Sequence, residues 1–252
     1  MGGLVSDVVA WFGDPTNWTG DAGVPNRVLE HLQYSVVPLL IALLIAVPIG
    51  AAVGHTGRGG FAVVGIANGM RSLPELGVLC LLVIFTGVGL LPVTIALVIL
   101  AIPPLLAGTY AGVSNVDRAV VDAARGVGMT EREILTKVEL PNALPLIIGG
   151  LRTATLQVIA TAAIAAFVGV DGLGRILFSG LAVRDYTRMA AGALLIAALA
   201  LLIDAALAGL QRLIVSPGLR TDRSTRRRAV APPTEPTRLT PSPAPEPELA
   251  RT

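Results

Sequence analysis

Charge is scarce in this 252-residue chain: 14% of its residues are charged, while 53% are hydrophobic. Soluble domains carry nearer about a quarter charged residues, so an ordinary soluble domain is excluded. Lysine is almost missing, Lys137 being the only one. A P-loop needs G-x-x-x-x-G-K-[ST], because its lysine and backbone N–H groups hold phosphate. Lys137 stands between Thr136 and Val138 with no glycine before it, so the chain has no such loop. One cysteine, Cys80, rules out an internal disulfide. It lies in an apolar run and reads as an inert buried thiol. The two histidines, His31 and His55, have no second ligand at metal spacing. No H-E-x-x-H or G-x-S-x-G is present, which leaves hydrolysis inside a membrane without support. The net charge of +2 is too small to argue for nucleic acid.

What the chain does have is long apolar runs, which read as an all-α polytopic membrane protein. Five spans are expected, near 33–54, 61–87, 91–110, 143–170 and 189–210. Pro38 and Pro48 bend the first. The second holds Arg71–Gly77, "RSLPELG", where proline removes a backbone donor. One kinked span is the favoured reading there; a re-entrant piece plus a helix would make six. Residues 1–32 carry Asp7, Asp14, Asp21 and Glu30 against Arg27. They lack the pattern of a signal peptide. Trp11, Phe12 and Trp18 suggest a short helix lying in the interface. Residues 33–219 form the membrane domain. Residues 220–252, rich in proline and charge, read as a disordered tail. "GVDGLG", Gly169–Gly174, reads as a tight turn rather than a nucleotide loop.

With five spans, one side receives Arg58, Arg118, Arg125, Arg132, Lys137, Arg223, Arg226, Arg227 and Arg228. The other receives Arg27, Arg175 and Arg184. The positive-inside rule then places the N-terminus outside and the tail in the cytoplasm.

The segment 116–142 interrupts the oil. Val116–Gly128 reads as a helix stopped by glycine. Thr130 with Glu133 three residues later is a capping box. It starts a short amphipathic helix over 131–138, with Ile134, Leu135 and Val138 on one side. "ELP" ends that helix, and Pro141 opens the next. Small Ala123 and Ala124 leave room for another surface. A solvated connector is the plain alternative, but a bare connector does not need a capped unit with an apolar stripe.

"DAARGVGMTEREILTKVELP" resembles the E-A-A, x3, G, x9, I-x-L-P signature of ABC-transporter permeases. Asp122, Ala123 and Ala124 match its first three positions, with Asp for Glu. Gly128 is its glycine, Val138 replaces Ile, and Leu140 and Pro141 complete it. Over residues 29–219 the chain is similar to the glycine betaine/carnitine/choline branch of osmoprotectant importer permeases, of methionine-importer-like type. The resemblance implies a type I ABC importer permease core with five or six spans in a bacterial cell membrane. It implies a cytoplasmic coupling helix on which ABC ATPase subunits dock. ATP and Mg would be bound there, and no cofactor by this chain. It further implies a second permease copy or paralogue and an extracytoplasmic substrate-binding protein, with lipid around the spans. A quaternary ammonium solute is held by aromatic faces. Aromatics make up only 4% here, and Tyr34, Phe61, Phe85, Tyr110 and Phe167 are widely spread. High-affinity selection is therefore expected on the binding protein.

Charges at membrane depth face a cavity or pair with each other. Glu75, with Ser72 and Pro74 in the unwound "SLPE", is the pathway candidate; capping the kink is its plainer role. Arg152 can snorkel to the membrane surface or pair with Asp204. Two other readings stay open: a permease for another small solute such as an amino acid, or an ion-coupled secondary transporter.

Overall fold

A computed structural model describes residues 2–215. The disordered-tail expectation lies outside the described residues. Among the described residues all regular elements are helical. They are α1 (Gly2–Gly13), α2 (Val24–Thr56), α3 (Gly60–Arg71), α4 (Glu75–Thr86), α5 (Leu90–Ser114), α6 (Arg118–Gly126), α7 (Glu131–Glu133), α8 (Leu140–Ala162), α9 (Leu173–Val183) and α10 (Tyr186–Ile214). A π-helix, Ile134–Glu139, joins α7 to α8, and a 3-10 helix, Ala163–Val168, extends α8.

Four helical stretches are long and apolar enough to cross a membrane: α2, α5, the path from Glu131 to Val168, and α10. The α3–α4 pair passes the same test together but is bent by 86°. Twelve residues give each half about 18 Å, too short for a hydrocarbon core of about 30 Å. Gly60 lies against Tyr110, near the end of α5, while Val88 beyond α4 lies near Gly169 at the opposite end of the bundle. The pair therefore runs from one end to the other and is one broken span, giving five crossings rather than six. Pro74 is the N-cap of α4, where its missing N–H costs nothing.

One boundary differs from expectation. α2 begins at Val24, upstream of residue 33, because Pro25 sits in its first turn, where proline is pre-shaped for a helix. The short helix expected around Trp11 and Phe12 is present as α1 and packs on the bundle. Its Trp11 packs on Val24, Leu173 and Ile176 together with Leu195, Ile196 and Leu199 of α10, which partly buries that ring.

Small residues bring the central helices together. A Cβ on Gly50 would sit 2.9 Å from Thr109 Cβ, which marks the α2–α5 crossing. A Cβ on Gly108 would sit 2.8 Å from the Leu146 carbonyl, and one on Gly150 would sit 2.6 Å from the Pro104 carbonyl. Close backbone approach of this kind is how helices associate where lipid removes the hydrophobic drive. The core around these crossings includes Ala46, Leu97, Leu105, Ala154 and Val158. Gly150→Val should lower the thermal midpoint of the purified protein, because overpacking against backbone costs about 1–3 kcal/mol. Gly149 faces open space, so Gly149→Val is the control. Equal midpoints for the two would contradict the α5–α8 approach.

The pairings also fix the two ends. His31 on α2 meets Ile159 on α8, and His55 meets Glu139. α2 and α8 are thus antiparallel, with Thr56, Ser114 and the 116–142 segment at one end. At the other end Arg27 bridges Glu30 at 2.9 Å and Asp171 at 2.6 Å, and the Gly172 N–H donates to Glu30 at 3.0 Å. Gly169 and Gly172 take φ of 82° and 97° in that turn.

Candidate functional site

The unit at the first end is built by three local devices. Asp117 caps α6, its carboxylate accepting from the Ala119 N–H at 2.9 Å, so the helix starts at Arg118 rather than Val116. At the far end the Gly128 N–H donates to the Arg125 carbonyl at 2.9 Å and the Met129 N–H to the Ala124 carbonyl at 3.2 Å. This double closure needs a left-handed residue, and Gly128 supplies it with φ +90°. Thr130 and Glu133 then form a capping box. The Glu133 N–H donates to the Thr130 hydroxyl at 3.4 Å, and the Thr130 N–H donates to the Glu133 carboxylate at 3.1 Å.

Lys137 also donates to Glu133, at 2.8 Å. This bond, with those from Thr130, holds the Glu133 carboxyl down at about 2. A carboxyl lowered from 4.5 stabilises the folded unit fully above 4.5 and loses that contribution as pH falls toward 2. The cap should therefore be insensitive to pH between about 5 and 8. Protection of the Glu133 amide against hydrogen exchange reads this, with Glu133→Gln as control. Loss of protection already near pH 6 would contradict it.

The short helix does not end at "ELP". The Leu140 N–H reaches back five residues to the Leu135 carbonyl, and the wide turn continues straight into α8. Pro141 has no N–H to offer, so the helix widens for a turn instead of breaking. The fourth crossing thus belongs to a helical path that starts at Glu131, not at Ala143.

The apolar stripe is covered from within. Val121, Ala124 and Ile134 are buried together, with Val116, Met129 and Val138 against them, and Leu140 packs below on Ala51, Val113 and Ala143. Of the expected docking residues, Ala124 and Val138 therefore serve the interior of the unit. Asp122, Ala123, Gly128, Thr130 and Pro141 are exposed. The free surface is instead a second stripe on α6. Val120 and Val127 are 46% and 80% exposed, with Ala123 between them at helical spacing. Residues 120, 123 and 127 could have been read as such from their spacing. Arg125 forks onto Glu131 at 2.9 and 3.0 Å and touches Asp122 at 3.4 Å. Hydrogen bonds to Glu131 raise the guanidinium and lower the carboxyl from their ordinary values.

Deeper in the bundle, Glu75 accepts from Thr161 Oγ1 at 2.8 Å and from Gln157 Nε2 at 3.5 Å. It cross-links α4 to α8 from the first turn of α4. Ser72 and Pro74 are exposed, and the Ser72 hydroxyl donates to the Gly69 carbonyl at 2.7 Å. The structure does not bring either to Glu75's partners. Arg152 and Asp204 do meet, with two bonds of 2.8 Å, and Arg152 also reaches Gln211 at 3.3 Å. Pairing, not snorkelling, explains Arg152. α10 contributes that pair while burying little beyond Ala191 and Gly192.

A bundle of five apolar crossings with a capped polar unit held at one end is the fold of type I ABC importer membrane domains. Solved structures share the fold. The MetNI methionine ABC transporter in an inward-facing form matches with TM-score 0.70 and 24% identity, over 81% of this chain and 99% of that one. An amino acid ABC transporter solved with histidines matches with TM-score 0.57 and 22% identity, over 74% and 89%. Residues 32–216 match the family of binding-protein-dependent transport system inner membrane components, and the chain belongs to that family. It is a multi-pass inner-membrane permease subunit, which sets aside the ion-coupled reading. Similar curated proteins include the glycine betaine/carnitine/choline transport system permease protein OpuCB of Bacillus subtilis, 35% identical over 76% of this chain and 88% of its own length. The choline transport system permease protein OpuBB of the same organism is 34% identical over 77% and 89%. The osmoprotectant import permease protein OsmY of Salmonella typhimurium is 35% identical over 71% and 77%.

Proposed function

We propose that this chain is the permease of an ATP-driven importer for osmoprotectants of the glycine betaine, choline and carnitine kind. The substrates named for its relatives support that class. The observation that carries the mechanism is the rigid unit at one end, capped at three points and presenting Val120, Ala123 and Val127 outward. ATPase subunits dock there, around Asp122, Ala123 and Gly128, with Thr130, Glu133, Val138, Leu140 and Pro141 shaping the surface from behind. ATP and Mg are held by those subunits. This chain supplies no bond-breaking group; its part is to turn closure of the ATPases into alternating access.

That end faces the cytoplasm. Arg58, Arg118, Arg125, Arg132 and Lys137 lie on it, as the positive-inside rule asks of a cytoplasmic side. The other end carries Arg27, Arg175 and Arg184, joined by Arg188 at the start of α10. A binding protein delivers solute to that outer end near α9, and a second permease copy or paralogue completes the pathway. Glu75, on the broken span beside Ser72 and Pro74, lines it.

Uptake of labelled glycine betaine and choline in cells lacking their own importers tests the reading, with co-purification of an ATPase as a second readout. Glu75→Gln should cut uptake about tenfold while leaving the protein folded, because intramembrane carboxylates mark solute paths. Unchanged uptake in that variant removes Glu75 from the pathway.

A further inference from the structure

His55, the last basic residue of α2, lies where three elements meet. Its Nδ1 is 2.5 Å from Glu139 Oε2 on the π-helix, and its Nε2 is 3.2 Å from Glu131 Oε2 on α7. Glu139 is a carboxylate only 5% exposed, and the ring is its partner. Glu131 is in turn forked by Arg125, which touches Asp122 on α6. An unbroken run of polar contacts thus leads from Asp122, through Arg125, Glu131 and His55, to Glu139. Asp122, Arg125, His55 and Glu139 of that run wall a polar cavity of about 160 Å³ whose lining also includes Gly54, Ser114, Arg118 and Val121.

We propose that His55 is the positioning residue that clamps the first span to the docking unit, so that α2 and the unit move as one body when ATP closes the ATPases. This rests on the docking reading above. Three features carry it. The imidazole is the only side chain of α2 with polar bonds to the 131–139 segment among the described residues. A buried carboxylate that loses its partner is costly to leave unpaired. The apolar contact beside it sets Ala51 against Val113 of α5 and Ala143 of α8, with Leu135, Leu140 and Ile147 around them, and such contact is non-directional. Without the imidazole, α2 keeps no side-chain polar bond to the 131–139 segment and meets it through apolar contacts alone, so part of the motion of ATPase closure is lost in the joint.

The test uses the whole transporter, purified through a tag on this chain in a Cys80→Ala background. Spin labels are placed at the exposed positions Arg58 and Thr136, on either side of the joint. Distances are measured without nucleotide and after trapping with ADP and vanadate. In the parent the label distance should stay constant, within about 2 Å, between the two states. In His55→Ala it should change or broaden with trapping, while ATP turnover persists and uptake per ATP hydrolysed falls at least fivefold. His55→Gln, which keeps one amide donor, should recover part of the coupling. A merely structural role would lower ATP turnover and uptake together, leaving their ratio intact, and overturns the proposal. So does a parent distance that changes on trapping. If no ATPase co-elutes with the parent, the docking reading fails first, and with it the clamp.

Discussion

Ala123→Arg should abolish ATP-driven uptake while leaving the chain folded in the membrane. Ala123 is exposed and lies midway between Val120 and Val127 on the outer face of α6. A guanidinium there enters whatever apolar surface covers the stripe. An uncompensated charge buried at an interface costs about 3–5 kcal/mol, which is more than a hundredfold in affinity. Nothing inside the unit changes, because Ala124, not Ala123, packs on Val121 and Ile134. The neighbouring substitution therefore separates surface from core. Ala124→Arg should destabilise the unit itself and lower the yield of folded protein. Ala123→Arg should be recovered from membranes normally but without a co-eluting ATPase. Uptake and co-purification measured on both variants decide the matter; an Ala123→Arg protein that still retains its ATPase moves the docking surface elsewhere.

The second large effect concerns the charge pair between α8 and α10. Arg152→Leu leaves Asp204 without its two-bond partner among apolar residues. A lone charge at membrane depth is expensive, so the amount of inserted, folded protein should fall about tenfold. Asp204→Leu should do the same from the other side. The double variant Arg152→Leu, Asp204→Leu removes both charges and should recover most of the lost protein, since replacing a pair by apolar groups is far less harmful than halving it. Membrane yield and thermal midpoint of the four proteins form the cycle. A double variant as poor as the singles would show that α10 is held by something other than this pair.

Much of the architecture was legible in the residues because its rules are local. Apolar runs, the helix stopped at Gly128 and the Thr130–Glu133 box each depend on neighbours within a few positions, and the broken span announced itself through Pro74. What escaped depended on distant partners or on competition between local signals. "ELP" reads as a stop because proline breaks ordinary helices, yet a π turn absorbs the missing donor. The stripe of Ile134 and Val138 reads as unfilled because its cover, Val121 and Ala124, comes from another helix. His55 reads as a solitary turn residue; its partner lies 84 residues on, beyond the reach of any spacing rule.

The continuous path from Glu131 to Ala162 makes a lever of the fourth crossing. Its fulcrum is the place where Gly108 and Gly150 let α5 and α8 touch backbone to backbone. About 28 Å of helix lie between Gly150 and Glu131 in the capped unit, and about 16 Å separate Gly150 from Thr161. A tilt that displaces the capped end by about 4 Å therefore shifts Thr161 by about 2 Å in the opposite sense. That is enough to part a 2.8 Å hydrogen bond to Glu75. The two glycines thus set the gear ratio between the capped unit and the carboxylate on the broken span.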